Sequence, residues 1–147
     1  MPYLVHPYIL TNVMLRAEQF CVDPETILGI IAAESGFDPW AIGDSGHSVG
    51  LGQLHDQGAG TGMSVAERMD VSRNIEVLTQ YLVNCYQATL NWDDAFSAYN
   101  QGIAGWRAKG AAVNRFYVAT VRSWIVRFSI RGFDPDPNSG LIQFVES

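Results

Sequence analysis

The stretch Thr26-Ile27-Leu28-Gly29-Ile30-Ile31-Ala32-Ala33-Glu34-Ser35-Gly36 decides how this chain is read. Ile27, Ile30 and Ile31 precede Glu34 by seven, four and three residues. At 3.6 residues per turn the carboxyl therefore shares their inward face. Desolvation there favours the neutral form and raises the pKa, which is the tuning a general acid needs near neutral pH. Glu34 is read as a proton donor; the plainer alternative is a satisfied core carboxylate.

Outward from this run the signals are mostly helical. Asp23 is expected to offer a side-chain oxygen to the first turn, Pro24 fits the first helical position, and Glu25 complements the helix dipole. Gly36 ends the helix and Phe37-Asp38-Pro39 prevents its resumption. Upstream, Ile9, Leu10, Val13, Leu15, Ala17 and Phe20 suit a one-sided helix over residues 6–21. Downstream, glycines at 43, 46, 50, 52, 58, 60 and 62 rule out a simple helix and predict an irregular flap with small strands around residues 48–54. Ser64 and Glu67 have capping-box spacing. A long helix over residues 71–90 turns Ile75, Leu78, Leu82, Cys85 and Tyr86 inward. Asn91 or Asp93 starts another through Ala95, Phe96, Ala98 and Tyr99, stopped by Gly102. The last, over residues 112–128, carries Phe116, Val118, Val121, Trp124, Ile125 and Phe128. Beyond Gly132, Asp134-Pro135-Asp136-Pro137-Asn138-Ser139-Gly140 has no regular structure, while residues 141–145 are apolar enough to dock. There is no internal repeat.

The expected fold is mostly α: a helical domain over residues 1–131 with a small β-hairpin or irregular glycine-rich flap bordering a cleft, then an Asp/Pro-rich tail over residues 132–147. A chain of 147 residues that is 48% hydrophobic has enough apolar material for one core. The net charge of −6 argues against nucleic acid as a partner. Six of the nine basic residues (Arg107, Lys109, Arg115, Arg122, Arg127, Arg131) follow position 100, whereas twelve of the fifteen acids precede it. That asymmetry reads as a solvated helix face, or as a docking patch for an anionic polymer or partner protein. Cys21 and Cys85 are expected to be buried free thiols, a single disulfide being the other reading. Neither has a Cys or His at zinc-ligand spacing, so zinc is not expected, and neither a metal nor an organic cofactor is expected in the activity. The first residues lack the pattern of an export signal and no apolar run reaches about 18 residues. The expectation is a soluble product made in the cytoplasm, with no membrane span.

Three elements stand in order: Glu34-Ser35 at the end of a buried helix, Gly50-Leu51-Gly52-Gln53 in the glycine-rich segment, and Ala98-Tyr99-Asn100-Gln101-Gly102 at the end of a later helix. Together they resemble the lysozyme-like soluble lytic transglycosylases and the related goose-type lysozymes, whose order is Glu-Ser, Gly-Leu-Met-Gln and Ala-Tyr-Asn-Ala-Gly. The resemblance covers roughly residues 24–120. Gly52 stands where the family has Met, removing a side chain that would help line a sugar groove, and Gln101 stands for Ala. Asn74-Ile75 and Tyr117-Val118 resemble further family pairs that support the fold more than the chemistry.

The resemblance implies a lysozyme-like fold and cleavage of the β-1,4 bond between N-acetylmuramic acid and N-acetylglucosamine in peptidoglycan. Glu34 would protonate the leaving oxygen. In a lytic transglycosylase it would then act as base on the muramic acid C6 hydroxyl, forming a 1,6-anhydro end. In a goose-type muramidase a second carboxylate would position water, and Asp44 in Gly43-Asp44-Ser45-Gly46 resembles it; an Asx-turn residue is the plainer reading. Both chemistries stay open. The resemblance further implies that Tyr99 orients Glu34 through its phenol and offers its ring to a sugar, a core aromatic with a satisfied hydroxyl being the plainer reading, that Gln53 binds acetamido groups, and that Asn100 holds the helix end or a substrate carbonyl. Ser35 would tie the acid's helix to the glycine-rich loop, Gly50 and Leu51 would join Gln53 in binding substrate, and His47 and His55 would line the groove, exposed loop histidines without a role being the plainer reading. The partner is the glycan strand of the wall, reached from the bacterial cytoplasm as a bacteriophage endolysin released through a holin or as a virion component beside other phage proteins. The rival reading is a catalytically inactive phage structural or binding module.

Overall fold

In the computed structural model, which describes residues 3–130 and 141–142, the run from Thr26 to Ala32 is buried without interruption. Around it the described residues form β1 (Tyr3–Leu4), α1 (Pro7–Phe20), α2 (Pro24–Ser35), β2 (Ile42–Gly43), β3 (Ser48–Val49), β4 (Leu54–His55), α3 (Val65–Met69), α4 (Val71–Thr89), α5 (Trp92–Gln101), α6 (Ile103–Lys109), α7 (Arg115–Ile130) and β5 (Leu141–Ile142). Short 3₁₀ turns occupy Asp44–Gly46 and Ala111–Asn114. The fold is the expected one, mostly α with a small antiparallel sheet of order β2-β3-β4. β1 and β5 pair antiparallel, Tyr3 with Ile142 and Leu4 with Leu141. The expected irregular stretch over residues 134–140, Arg131, and the rest of the apolar end lie outside the described residues. No helix among the described residues is long and apolar enough to cross a membrane.

Packing follows from the sequence periodicities. Ile27, Leu28, Ile30 and Ile31 of α2 are fully buried, each apolar side chain contributing about 1.5–3 kcal/mol when withdrawn from water. α7 crosses α2 closely because Gly29 has no side chain: a Cβ there would come within 2.7 Å of Ile125 Cγ1 and 3.3 Å of the Val121 carbonyl oxygen. α4 buries Ile75, Leu78, Leu82 and Cys85 against α1 and α5. Tyr86 is half-buried and stacks on Trp92 at 4.4 Å.

The helix ends show which polar groups fix the element boundaries. Ser64 and Glu67 form a reciprocal capping box, with Glu67 N–H donating to Ser64 Oγ at 3.0 Å. Asn91, not Asp93, caps α5 by accepting from Asp94 N–H at 3.1 Å. Asp23 departs from expectation and makes no side-chain cap bond. Pro24 has no N–H to offer, and the Thr26 N–H already donates to the Asp23 backbone carbonyl at 3.0 Å. α2 ends at Gly36 in the left-handed region, φ 60°.

Several apolar side chains face outward against expectation. Leu15 lies two positions, about 200° of helical turn, from buried Val13 and is exposed. Cys21 caps α1 in the left-handed conformation and is exposed, whereas Cys85 is buried; both thiols are free. Phe116 sits in the first turn of α7, exposed, with the Arg115 guanidinium 5.2 Å from its ring. The 3₁₀ turn at Ala111–Asn114 takes the place of the expected first turn of that last helix. α6 was not expected: it is short, has no buried residue, and contains Gly105. On the basic side of the molecule, Arg122 bonds Asp93 at 2.6 Å and lies over Phe96, and Arg127 lies 4.5 Å from the Trp124 ring. These cations therefore cover apolar surface as well as carrying charge.

Strands of two residues do not hold a flap by themselves. Here two buried polar side chains do it. Asn74 accepts from Gly52 N–H at 2.9 Å and donates to the carbonyls of Val49 at 3.2 Å and Arg68 at 2.7 Å. Arg68 donates from Nη1 to the carbonyls of His47 at 2.8 Å and Leu54 at 2.9 Å. Replacing Asn74 by Ala strands one buried N–H and two carbonyls, each costing about 1–3 kcal/mol. Urea unfolding of Asn74→Ala is expected to show a loss of about 3 kcal/mol or more; a loss below about 1 kcal/mol would mean that the flap is held elsewhere.

Candidate active site

Because α2 is buried almost to its end, Glu34 emerges from the core rather than from a surface helix. The carboxyl opens into a cleft of about 500 Å³ between α2, the flap and the end of α5. Glu34, Asp44, Gln53, His55, Tyr99 and Asn100 all line that cleft. Past Gly58, Ala59 and Tyr81 it continues into a depression of about 610 Å³ bordered by Gln19, Gln80 and Asn84.

The electrostatics at Glu34 are dominated by lost water. Burial is the largest effect; a donor dipole at Tyr117 works against it, the negative charge of Asp44 works with it, and the carboxyl is pushed from 4.5 up to about 8. The Tyr117 hydroxyl is buried and meets no acceptor at hydrogen-bond geometry, although it acts on Glu34 as a donor. We read it as a close, poorly aligned dipole rather than a formed bond. Burial holds the phenols of Tyr99 and Tyr117 well above 10, so both stay neutral beside the acid.

Tyr99 does not orient Glu34 through its phenol. Its hydroxyl donates to the Gly52 carbonyl at 2.8 Å, tying α5 to the flap; a buried hydroxyl needs one firm acceptor, and the backbone supplies it. Tyr117, assigned above to the fold, stands nearer the chemistry, and the Tyr117-Val118 pair was the one sequence signal for it. Ser35 likewise makes no tie to the loop: it donates to the Ile31 carbonyl one turn back, at 3.2 Å. Gly50 and Leu51 do not line the cleft either. Leu51 is fully buried, and Gly50 has φ 86° with its N–H donating to the Ala41 carbonyl at 2.8 Å. These two residues seat the flap on the core.

Gln53 uses its amide nitrogen internally, donating to the carbonyls of Ala41 at 3.0 Å and Gly50 at 3.1 Å. Its oxygen is what remains for a ligand. Asp44 accepts from the Ser48 hydroxyl, which supplies the loop-residue reading without removing the carboxylate from the cleft. Asn100 accepts from Asn114 Nδ2 at 3.0 Å, and Gln101 donates to Ser97 Oγ at 2.9 Å and the Gly110 carbonyl at 2.8 Å. His47 is absent from the cleft lining, whereas His55 is part of it.

The missing side chain at Gly52 leaves no gap in the groove. A Cβ there would meet Tyr99 Oη at 2.7 Å and Leu78 Cβ at 2.8 Å, so the space a side chain would need is already filled. Gly52→Ala is expected to lower stability by about 1–3 kcal/mol through overpacking, seen as an earlier urea midpoint; a midpoint at or above that of the parent would contradict this packing.

Burial of Glu34 also has a stability consequence. Because folding raises its pKa, the folded chain holds more protons than the unfolded chain between pH 4.5 and about 8, and stability linked to the neutral carboxyl is lost as pH climbs through that window. Glu34→Gln, neutral at every pH, is expected to be more stable than wild type above pH 8 by about 1–3 kcal/mol, after discounting for partial solvent access. The difference should vanish below about pH 4.5; a pH-independent difference would contradict the desolvation.

No curated protein matches the chain. The family model of the transglycosylase SLT domain matches residues 12–117, a span that takes in α2 with Glu34, the flap, α4 and α5, and ends at Tyr117. With the helical lysozyme-like fold and the cleft at Glu34 in place, the chain belongs to the transglycosylase SLT domain family, the peptidoglycan-cleaving enzymes that break glycosidic bonds of the bacterial wall.

Proposed function

We propose that this enzyme is a lytic transglycosylase that cleaves between N-acetylmuramic acid and N-acetylglucosamine and leaves a 1,6-anhydromuramic end. The observation that carries this reading is the desolvated Glu34 carboxyl, pushed up to about 8 in a cleft shared with Gln53 and Tyr99. A carboxyl that keeps its proton at neutral pH can donate it to the bridging oxygen as the bond to C1 breaks, the bonding electrons leaving with that oxygen. The resulting carboxylate, with the Tyr117 dipole beside it, then accepts the proton of the muramic acid C6 hydroxyl while that oxygen bonds to C1. The acid is restored and no water enters the products. One carboxyl serves both halves.

Gln53 holds the flap by its nitrogen and offers its oxygen to an acetamido N–H. Asn100, its oxygen held by Asn114, presents its amide nitrogen at the opposite wall, and the continuation toward Gln19, Gln80 and Asn84 gives a strand of several sugars room to lie. The second reading, a hydrolase in which Asp44 holds water, rests on the position of Asp44 in the same cleft.

Digestion of purified sacculi with mass-spectrometric identification of the products tests the two. Anhydro-muropeptides are expected; reducing ends would establish the hydrolase instead, and no release of fragments would leave a non-catalytic module. Glu34→Gln should retain glycan binding and lose turnover by about 10³-fold or more, the proton transfer itself supplying roughly 10²–10⁴. Activity of the parent should fall as pH rises through about 8, where the acid loses its proton.

A further inference from the structure

The flap gathers three side chains that no step of the proposed reaction uses. His47 precedes β3, His55 ends β4, and Asp56 follows it. The Ser48–His55 register and the bond from Asp56 N–H to the His47 carbonyl, 2.9 Å, set the three backbones side by side. Behind them Arg68 clamps the carbonyls of His47 and Leu54. The two imidazoles stack with centroids 5.3 Å apart and planes 14° from parallel. One donor atom from each of the three residues lies within 4.8 Å of the others.

The hydrogen bonds here leave an electrostatic gap. His47 Nδ1 donates to the Asp56 carboxylate at 2.9 Å. His55 Nδ1, by contrast, accepts from Gln57 N–H at 3.0 Å, so it carries a lone pair, and it stands 3.4 Å from Asp56 Oδ1. Two electron-pair donors thus face one another with no proton between them. An ion there would satisfy both, taking the His55 lone pair in place of the Gln57 N–H, which is exposed and turns to water.

We propose that His47, His55 and Asp56 bind one divalent transition-metal ion of the zinc class, which clips the open end of the β3–β4 hairpin at the rim of the cleft. Two imidazole nitrogens and one carboxylate oxygen are the donor set that zinc, cobalt, nickel and copper accept and that magnesium and calcium do not favour. Tetrahedral bonds of about 2.0–2.1 Å place donors about 3.4 Å apart, so the widest separation of 4.8 Å has to close by roughly 1.4 Å. The side chains of His47 and Asp56 are 51% and 38% exposed and turn without disturbing the core. The proton now on His47 Nδ1 passes to water as the ion replaces it. The Arg68 charge opposes the ion, so binding rests on the two nitrogens as well as on Asp56. The ion carries no catalytic step. The site escapes a reading of short cysteine and histidine motifs because its histidines stand eight residues apart, on either side of a hairpin.

The test uses the metal-stripped, untagged full chain carrying Cys21→Ser, so that the exposed thiol adds no ligand. Calorimetric titration with zinc chloride is expected to show one ion per chain. His47→Ala and His55→Ala should each weaken binding at least about tenfold, His6→Ala should change nothing, and calcium should not compete. Cobalt should give visible absorption bands that the same two variants lose. Asp56→Asn, which keeps the shape while removing the charge, should also weaken zinc binding, and urea midpoints taken without metal should match the parent for every variant scored. Absence of stoichiometric zinc binding, binding that survives loss of both histidines, or equal binding of calcium would overturn the proposal.

Discussion

The withdrawal of water from the Glu34 carboxyl is the constraint on which the rest of this molecule turns. It arises because α2 is apolar on nearly every side, so α1 and α7 can pack against it and leave only its last turn facing a cleft. An acid at that point is neither a surface charge nor a core group. It costs stability in its ionised form and is useful in its neutral form, so the strain falls on the group that does the chemistry.

Enclosing the acid requires a flap that does not move away, and the chain achieves this without a substantial sheet. Two-residue strands are held down by Asn74 and Arg68, whose side chains satisfy carbonyls and an N–H that would otherwise lie buried and unpaired. Tyr99 adds a third tie through the Gly52 carbonyl. The same few residues thereby shape the groove and exclude water from its floor, which links packing directly to the pKa of the acid. Tyr117 joins the system from α7, the helix that Gly29 allows to approach α2.

Much of this was legible in the residues, for identifiable reasons. The spacing of Ile27, Ile30 and Ile31 to Glu34 reports burial because helical periodicity is a local property, and the capping box at Ser64 and the stop at Gly36 are local too. The three ordered motifs carried the family. What escaped was long-range partnership. Tyr99 was assigned to the acid and Ser35 to the loop, but each hydroxyl took a backbone carbonyl instead, one across the fold and one a turn away. Gly50 and Leu51, carried over as substrate-binding residues, seat the flap on the core instead, and the space that a side chain at Gly52 would take is occupied by Tyr99 and Leu78. Outward-facing Leu15 and Phe116 show the other limit: an apolar residue inside a helical pattern need not lie on its buried stripe.

The most direct test of this account is a carbon-13 NMR titration of the Glu34 carboxyl, with the resonance assigned by comparison with Glu34→Gln. The account predicts a midpoint near 8, well separated from those of the exposed carboxylates. A midpoint close to 4.5 would contradict it, because a carboxyl that ionises as it would in water could not hold its proton for the bridging oxygen at neutral pH.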